Sequence, residues 1–471
     1  MADDWANSAG GETAGVDLHL ELAGEGSPRA QLMSALRDAI RSGRLASGTR
    51  LPPYRTLAAD LGIARNTAAA AYAELVEEGW LTAQQGSGTR VADRATPAAV
   101  DRKGAAARRN PRRVLHDLQP SSPNAAAFPR TDWAASTRRS LAAAPNDAFG
   151  VGDPRGRVEL RRTVAEYLSR ARGVRAEPER IIICSGFAHG LQLLCDVLNG
   201  PMAMEAYGLD FYRDILHDKW IESIPVSVDH RGAVVDELVG TDARAVLLTP
   251  AHQYPTGGPL HPERRAAVVD WIRASGAVLL EDDYDGEFRY DRQPVGALQG
   301  LDPDRIVYLG SVSKSLSPAL RLGWMVLPDS LIDDVLSAKG SREMWAGVVT
   351  QLTFADFLSS GAYDRHLRRT RATYRRRRDL LVRMLAQRAP HIRVSGIAAG
   401  LHAVLELPDG TEDSTLHAAR SLGLALDGLR RYRHPAAPMP HRDGLVVGYG
   451  TPSDHGFGPA LEALCRALSG R

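Results

Sequence analysis

A lysine within a run of serines and small residues is the first place where this sequence could do chemistry. Lys314 lies in the segment 310–324, after an apolar, strand-like stretch at residues 305–309, and Arg321 follows it. A desolvated, deprotonated lysine amine forms a covalent link with an aldehyde. Serine hydroxyls and an arginine bind a phosphate dianion. The combination suggests pyridoxal phosphate as a cofactor, and an ordinary exposed lysine in a serine-rich turn is the alternative.

Two other segments end apolar stretches with residues that suit such a cofactor. Residues 181–184 are apolar and lead into a turn at Gly186; a strand, a glycine turn and a helix start make a natural phosphate cradle. Residues 277–281 form a second apolar stretch, which Asp282 follows directly. Ligands of open α/β sheets bind at the carboxyl ends of the strands. These segments therefore favour the cofactor interpretation of Lys314.

Length and composition place the chain among globular proteins of two or three domains. It has 471 residues, of which 44% are hydrophobic and 24% are charged. A net charge of +2 does not by itself indicate nucleic-acid binding. Three cysteines without metal-type spacing indicate a reducing compartment and no metal site. No signal peptide and no apolar run of roughly 18 residues are recognisable, so we expect a soluble, cytoplasmic protein without a membrane partner.

Residues 17–92 have the pattern of a winged helix-turn-helix domain. Helical spacing predicts a short helix at 54–61, a turn at Gly62 and a second helix at 65–78, and the segment 80–91 reads as a two-stranded hairpin with a glycine-rich tip. Polar side chains at the start of a second helix contact phosphates or base edges. A helical hairpin without a DNA-binding role is the alternative. The candidate DNA contacts are Arg55, Arg65, Asn66, Thr67, Gly86, Ser87 and Gly88.

The remaining segments complete the predicted domain organisation. Residues 1–16 are small, acidic and glycine-rich, and we interpret them as a disordered tail. Residues 93–114 are rich in arginine, alanine and proline without a hydrophobic period, so they are predicted to be a flexible basic linker that DNA phosphates would attract. From residue 115 to 471, helical and strand-like patterns alternate as in an α/β domain.

Four motifs together resemble the MocR-type regulators of the GntR superfamily. In that family a winged helix-turn-helix is fused to a domain with the fold of type I aminotransferases, and the resemblance spans nearly the whole chain from about residue 18. It implies an α/β fold with a mostly parallel central sheet in the second domain. The motifs occupy residues 51–67, 249–257, 281–290 and 311–323.

The resemblance also implies roles for individual residues. Lys314 would form the covalent link to pyridoxal phosphate, Asp282 would accept the protonated pyridine nitrogen, and Tyr284 would hydrogen-bond the phenolic oxygen. For Asp282 a strand-end cap is the alternative, and for Tyr284 a packed core residue. His252 lies in a loop that faces the ring, where a structural role is an equal alternative. The phosphate would be held by Ser311, Ser313, Arg321 and the backbone amides of Gly186, Phe187 and Ala188.

The sequence departs from the family pattern in three ways, at four positions. Leu209 stands where a tyrosine usually stacks on the pyridine ring, unless Tyr207 or Tyr212 provides the aromatic face. In the phosphate turn, Phe187 and Ala188 replace side chains with hydroxyl or amide groups. Ala64 removes one contact that a serine would make in the recognition turn. The first two departures put the strength of cofactor binding in question.

An amino-acid-like ligand would also need an arginine for its carboxylate. The cluster 429–434 matches the place where the family holds this residue, so Arg430 or Arg431 is the candidate, with Arg213 as a weaker one. The run 375–378 is interpreted as a solvated helix face.

These observations predict a homodimeric transcription regulator that responds to pyridoxal phosphate, with head-to-tail pairing as the family implies. Ligand control requires that the cofactor, or its adduct with an amino compound, bind two states of the protein differently. Vitamin B6 synthesis and the use of an amino compound such as 4-aminobutyrate are the candidate regulated pathways, with the first favoured. A working aminotransferase with an added DNA-binding domain, and a regulator whose effector domain has lost the cofactor, remain as alternatives.

Overall fold

The computed structural model describes residues 20, 22, 26–84, 88–93, 114–120, 122–290, 296–340 and 346–469. Contacts divide the chain into two units, Met1–Asn110 and Pro111–Arg471. The predicted tail at 1–16, nearly all of the predicted linker at 93–114 and the wing residues Gly86 and Ser87 lie outside the described residues.

The helices of the two units range from about two turns to more than seven turns in length. They are α1 (Pro28–Arg41), α2 (Tyr54–Asp60), α3 (Arg65–Glu77), α4 (Arg130–Ala143), α5 (Val158–Arg172), α6 (Phe187–Val197), α7 (Asp210–Asp218), α8 (Pro262–Ser275), α9 (Asp329–Lys339), α10 (Val348–Ser359), α11 (Ala362–Arg388), α12 (Glu412–Ser421) and α13 (Asp454–Leu468). Within the described ranges, no helix has the length and apolar character that crossing a bilayer requires.

The strands are short. They are β1 (Leu81–Gln84), β2 (Gly88–Val91), β3 (His116–Asp117), β4 (Ile181–Cys184), β5 (Met202–Glu205), β6 (Ser223–Val226), β7 (Val228–Asp229), β8 (Gly232–Ala233), β9 (Ala245–Leu248), β10 (Val278–Asp282), β11 (Ile306–Ser311), β12 (Gly323–Val326), β13 (Arg393–Ser395), β14 (His402–Glu406), β15 (Leu424–Ala425), β16 (Asp427–Gly428) and β17 (Gly444–Gly448).

The first unit is a three-helix domain with a β-hairpin. Helix α2, a turn at Gly62 and helix α3 lie where the sequence predicted them, to within one residue at their C-terminal ends. Strands β1 and β2 pair antiparallel. Leu32, Leu36 and Leu75 are buried in a core that joins α1, α3 and the hairpin. The prediction of a winged helix-turn-helix is confirmed.

A seven-stranded sheet forms the centre of the second unit, in the order β4-β12-β11-β10-β9-β5-β6. Strand β12 runs antiparallel to both of its neighbours, and the other pairs are parallel. The predicted mostly parallel sheet is therefore confirmed. Strands β13, β14, β17 and β16 form a separate antiparallel sheet.

Helices cover both faces of the central sheet, which explains why its strands read as continuous apolar runs. Ile182 packs in a cluster with residues of α6, α7 and α9. Its neighbours Ile181 and Ile183 point to the other face, where residues of α5, α10 and α11 form a second cluster. A third cluster places residues of β9 and β10 against α8.

Gly310 allows the strand that leads to Lys314 to lie against a buried indole. It faces Trp324 in the antiparallel β11–β12 pair. A methyl group on Gly310 would lie 2.7 Å from the Cε2 atom of Trp324, which is 1% exposed. The indole therefore fills the space that any side chain at residue 310 would need.

We predict that Gly310→Ala lowers the free energy of unfolding by about 1–3 kcal/mol, because overpacking a filled core forces backbone or side-chain shifts. Urea unfolding followed by tryptophan fluorescence measures the effect. Gly258→Ala is the matched control, since an added methyl group there would lie at an ordinary 3.6 Å from the His230 carbonyl oxygen. Equal midpoints for the two variants would contradict the packing argument.

Candidate functional site

Four neighbouring strand ends bring the predicted cofactor-binding segments to one edge of the central sheet. Asp282 ends β10 and is in register with Leu309 of β11. Ser311 ends β11 opposite Gly323, the first residue of β12. Gly323 also pairs with Cys184, which precedes the turn at Gly186. Residues far apart in the chain therefore meet because the strands that carry them are adjacent.

Lys314 lies in the loop after β11 and is partly buried. Burial lowers the pKa of its ammonium group, and the negative charges of Asp285 and Asp282 raise it in part. A lowered pKa increases the fraction of neutral amine, which is the nucleophilic form. The surroundings of Lys314 thus suit covalent attachment to an aldehyde.

Asp282 is buried at the end of β10, and its side chain accepts a hydrogen bond from the hydroxyl of Tyr212. Burial raises the pKa of this carboxyl group to about 8, while the hydrogen bond from Tyr212 lowers it in part. The Tyr212 ring packs at 4.7 Å from that of Phe187, the first residue of α6. Two aromatic rings therefore connect the glycine turn to the buried carboxyl group.

Tyr284 belongs to a polar cluster next to Lys314. Its hydroxyl lies 2.9 Å from His252 Nδ1, and the same nitrogen lies 2.8 Å from the Asp285 carboxylate. His402 packs on the other side of His252, with ring centroids 5.3 Å apart. Burial lowers the pKa of His402 to about 3. His402 is therefore neutral, and Asp285 is the ionisable partner that orients His252.

The glycine turn and the serine loop approach each other closely. Gly186 has a φ of 110° and caps α6, so Phe187 and Ala188 lie in the first turn of that helix. A side chain on Gly323 would lie 2.9 Å from the Gly186 Cα atom. Ser313 N donates to Ser311 Oγ at 3.4 Å. Arg321 has a left-handed φ of 48° and is close enough to help lower the pKa of His189 in α6.

A buried ion pair supports this end of β10 from the opposite side. Arg172 donates to both carboxylate oxygens of Asp283, at 2.6 and 2.9 Å. The Tyr308 hydroxyl donates to the same carboxylate at 2.7 Å. The side chains of Arg172 and Asp283 are only 4% and 2% exposed. This network fixes the backbone between Asp282 and Tyr284.

The two arginines expected to bind a ligand carboxylate pair with acids of their own surroundings. Arg430 lies 3.6 Å from Asp413 and 3.7 Å from Asp443. Arg431 lies 3.0 Å from Asp427 and 3.3 Å from Asp210. Both side chains are about half exposed. These contacts do not bring either arginine to Lys314.

The candidate DNA contacts lie on one exposed part of the first unit. Arg55, Arg65 and Asn66 are exposed, and Thr67 is half-buried. Arg65 lies over the Tyr54 ring, with 5.6 Å between its Cζ atom and the ring centroid. Ala64 caps α3 without a side-chain hydrogen bond. A side chain at Gly88, in strand β2, would lie 3.1 Å from Arg50 Nε, so Gly88 places Arg50 beside the wing.

Comparison with known protein families covers both units. The model for bacterial regulatory proteins of the gntR family matches residues 28–91, and the model for aminotransferase class I and II matches residues 120–419. The HTH-type pyridoxine biosynthesis transcriptional regulator PdxR of Corynebacterium glutamicum is 32% identical over 444 residues, which is 93% of this chain and 95% of that protein. The probable rhizopine catabolism regulatory protein MocR of Rhizobium meliloti is 31% identical, with 89% of each chain covered.

This chain belongs to the MocR-type regulators of the GntR family. The HTH-type transcriptional regulator TauR of Rhodobacter capsulatus is 33% identical over 95% of this chain and 98% of its own. Full-length similarity to several HTH-type regulators confirms the family predicted from the four motifs.

Solved structures related to the second unit are aminotransferases. The kynurenine aminotransferase of Pyrococcus horikoshii has a TM-score of 0.69 and 22% identity, over 76% of this chain and 91% of its own. The α-aminoadipate aminotransferase LysN of Thermus thermophilus has a TM-score of 0.68 and 23% identity, over 76% and 92%. At this identity the similarity establishes the fold of the MocR-type effector domain.

Several residues of this site could not be identified from the sequence. Tyr212 and Asp282 are separated by 70 positions, and Arg172 and Asp283 by 111 positions. No local sequence pattern indicates either contact. Tyr212 was expected only as a possible aromatic face for the pyridine ring, and its hydrogen bond to Asp282 was not predicted.

We predict that the free energy of unfolding of the cofactor-free protein falls as pH rises through about 8, in part because of Asp282. The folded state holds this proton more tightly than the unfolded chain does, so ionisation favours unfolding. Asp282→Asn removes this contribution and flattens the profile between pH 7 and 9. Denaturant unfolding across this range measures both profiles.

The difference between the pH profiles of wild type and Asp282→Asn gives the contribution of this carboxyl group alone. Glu205, Glu281 and Glu287 have pKa values raised to about 7, and Lys339 has a pKa lowered to about 8. All four groups are present in both proteins, so their contributions to the pH dependence of unfolding cancel in the comparison. Parallel profiles for the two proteins would show that Asp282 ionises at its ordinary pKa.

Proposed function

We propose that this protein is a DNA-binding transcription regulator that responds to pyridoxal phosphate. The observation that supports this most directly is the joining, in one chain, of a winged helix-turn-helix to an aminotransferase-like domain in which Lys314 and Asp282 lie at neighbouring strand ends. The kynurenine aminotransferase of Pyrococcus horikoshii was solved with PMP, and LysN of Thermus thermophilus was solved with N-(5'-phosphopyridoxyl)-L-leucine. A DNA-binding unit and a candidate cofactor site are thus the two parts that such a regulator needs.

The residues at the candidate site fit pyridoxal phosphate chemically. Lys314 would supply a neutral amine, and Asp282 a buried carboxyl group for the pyridine nitrogen. Arg321, Ser311 and the amides at the start of α6 would bind the phosphate. When bound, the cofactor supplies an electrophilic aldehyde and an electron-withdrawing ring. Tyr284, held by His252, would donate or accept at the phenolic oxygen.

The raised pKa of Asp282 supports a cationic partner. Among the described residues, the hydroxyl of Tyr212 is its side-chain hydrogen-bond partner, whereas the neighbouring Asp283 is neutralised by Arg172. A protonated pyridine nitrogen would supply the missing positive charge and return Asp282 to its ionised form. The site therefore gains an ion pair when the cofactor binds.

Pyridoxal phosphate itself is the effector that the geometry favours. Arg430 and Arg431 each pair with two acids, which compete with a ligand carboxylate for these guanidinium groups. The relative from Corynebacterium glutamicum is named a pyridoxine biosynthesis regulator. We therefore propose that genes of vitamin B6 synthesis are the regulated targets.

Cofactor binding would alter DNA binding if it favoured one of two arrangements of the protein. We propose a homodimer, in which two winged helices bind two half-sites of an operator. The head-to-tail pairing expected for the family belongs to the same proposal, and analytical ultracentrifugation with and without pyridoxal phosphate tests the dimer.

We predict that added pyridoxal phosphate gives the wild-type protein a visible absorption band that Lys314→Ala abolishes, because the covalent link needs the amine of Lys314. Lys219→Ala is the matched control, since Lys219 is a half-buried surface lysine paired with Asp196. A band of equal intensity in Lys314→Ala would contradict the assignment. A wild-type protein without any such band would show that the domain has lost the cofactor.

The same preparations separate regulation from catalysis. The regulator proposal expects operator binding that changes with pyridoxal phosphate, and little amino-group transfer to 2-oxoglutarate from a panel of amines. Robust turnover without any promoter binding would instead identify the protein as an aminotransferase. Genomic DNA fragments selected with the purified protein provide the operator for these measurements.

We predict that Arg65→Ala weakens binding to the selected operator by about tenfold and reduces the slope of its salt dependence, because Arg65 would neutralise a phosphate or contact a base. Fluorescence anisotropy at several salt concentrations measures both quantities. Arg29→Ala is the control, since it removes the same charge from α1, where Arg29 pairs with Glu74. Unchanged affinity in Arg65→Ala would show that the start of α3 does not face the DNA.

A further inference from the structure

Two adjoining cavities lie between α11, the C-terminal turn of α5 and the loop at residues 286–290. Their volumes are about 420 and 510 Å³, and both are lined by Arg289, Arg368 and Arg371. Arg375 and Arg376 complete the second cavity. We call the surface formed by these five residues the arginine groove.

The lining of the arginine groove carries a large excess of positive charge. The described residues around the second cavity are the five arginines with Tyr290 and Ala372, and they include no carboxylate. In the first cavity, Arg170 pairs with Asp364 at 2.8 Å. Glu287 is the remaining acid there, and burial raises its pKa to about 7. Among the described lining residues, the acids are therefore fewer than the arginines.

Neutral groups orient several of these side chains. Arg371 donates its Nε–H to the Glu287 carbonyl oxygen at 2.9 Å. Arg376 donates to the Thr373 hydroxyl at 3.0 Å. A carbonyl or hydroxyl partner fixes a guanidinium group without cancelling its charge. The groove thus presents oriented cations.

The spacing of the arginines is unfavourable for the helix alone. Arg368, Arg371 and Arg375 are at positions i, i+3 and i+7 of α11, so they share one face and repel one another. Among the described residues, neither Arg368 nor Arg375 forms an ion pair, and both side chains are exposed. A bound anion would relieve this repulsion.

We propose that the arginine groove binds a compact anion with two or more phosphate groups. Planar guanidinium groups bind phosphate oxygens through paired hydrogen bonds. Residues 368 and 375 are about 10 Å apart along the helix, which is more than one phosphate group spans. A concave site of this volume is in the range of small-ligand pockets. The DNA backbone is the other polyanion to test, and the concave shape favours a compact ligand over it.

The test is calorimetric titration of the full-length protein with inorganic triphosphate, in a chloride buffer without pyridoxal phosphate. The expected result is saturable binding of one ligand per chain. The double variant Arg368→Ala/Arg375→Ala is expected to bind at least tenfold more weakly. Arg383→Ala removes an exposed arginine from the same helix outside both cavities and is expected to bind like wild type. Unchanged melting temperatures establish that the variants are folded.

Other outcomes would overturn the proposal. Absent binding, or equal binding by wild type and the double variant, would exclude the groove as the site. Loss of triphosphate binding in Arg321→Ala with retention in the double variant would place the ligand at the Lys314 site. If the double variant loses affinity for non-operator duplex DNA while triphosphate binding is absent from wild type, the groove is a DNA contact surface. None of these outcomes depends on whether Lys314 binds pyridoxal phosphate.

Discussion

The buried ion pair between Arg172 and Asp283 is the interaction on which the candidate site depends. Removing one partner of such a pair leaves an uncompensated buried charge, at a cost of about 3–5 kcal/mol. Side chains of a strand alternate between its faces. Glu281 accepts hydrogen bonds from the backbone amides of Leu298 and Gln299, and Asp283 binds Arg172. The intervening Asp282 is thereby directed to the opposite face, toward Tyr212.

This alternation separates two carboxyl groups with structural contacts from Asp282, the one that we propose contacts the cofactor. Backbone amides satisfy Glu281, and a guanidinium group satisfies Asp283. Asp282 accepts a neutral hydroxyl, and burial raises its pKa to about 8. Lys314 is the cation whose pKa Asp282 raises in part, and a buried carboxyl group with a strongly shifted pKa is a frequent mark of a functional position. The electrostatic surroundings of each carboxyl group, rather than its position in the sequence, therefore distinguish Asp282 from its neighbours.

The sequence was informative wherever local pattern decides the structure. Apolar runs predicted strands β4, β10 and β11 to within a few residues, because both faces of these strands are buried. The roles of Tyr212 and Arg172 depend on contacts across 70 and 111 positions, which no local pattern encodes. The expected position of Arg430 and Arg431 beside a ligand carboxylate stays a prediction from resemblance. The acids that pair with these two arginines come from several segments of the fold.

Sensing, as we propose it, makes weaker demands on this site than catalysis does. Catalysis requires that the protein tune the electrons of the cofactor ring, and Leu209 provides no aromatic face for stacking. A sensor requires only that cofactor binding change the relative free energies of two states of the protein. In the cofactor-free site, burial favours the neutral forms of both Lys314 and Asp282. Cofactor binding would use the Lys314 amine for the covalent link and would ionise Asp282. Arg172, through Asp283, joins the end of β10 that carries Asp282 to α5. A change in charge at Asp282 would therefore act on a rigidly supported segment.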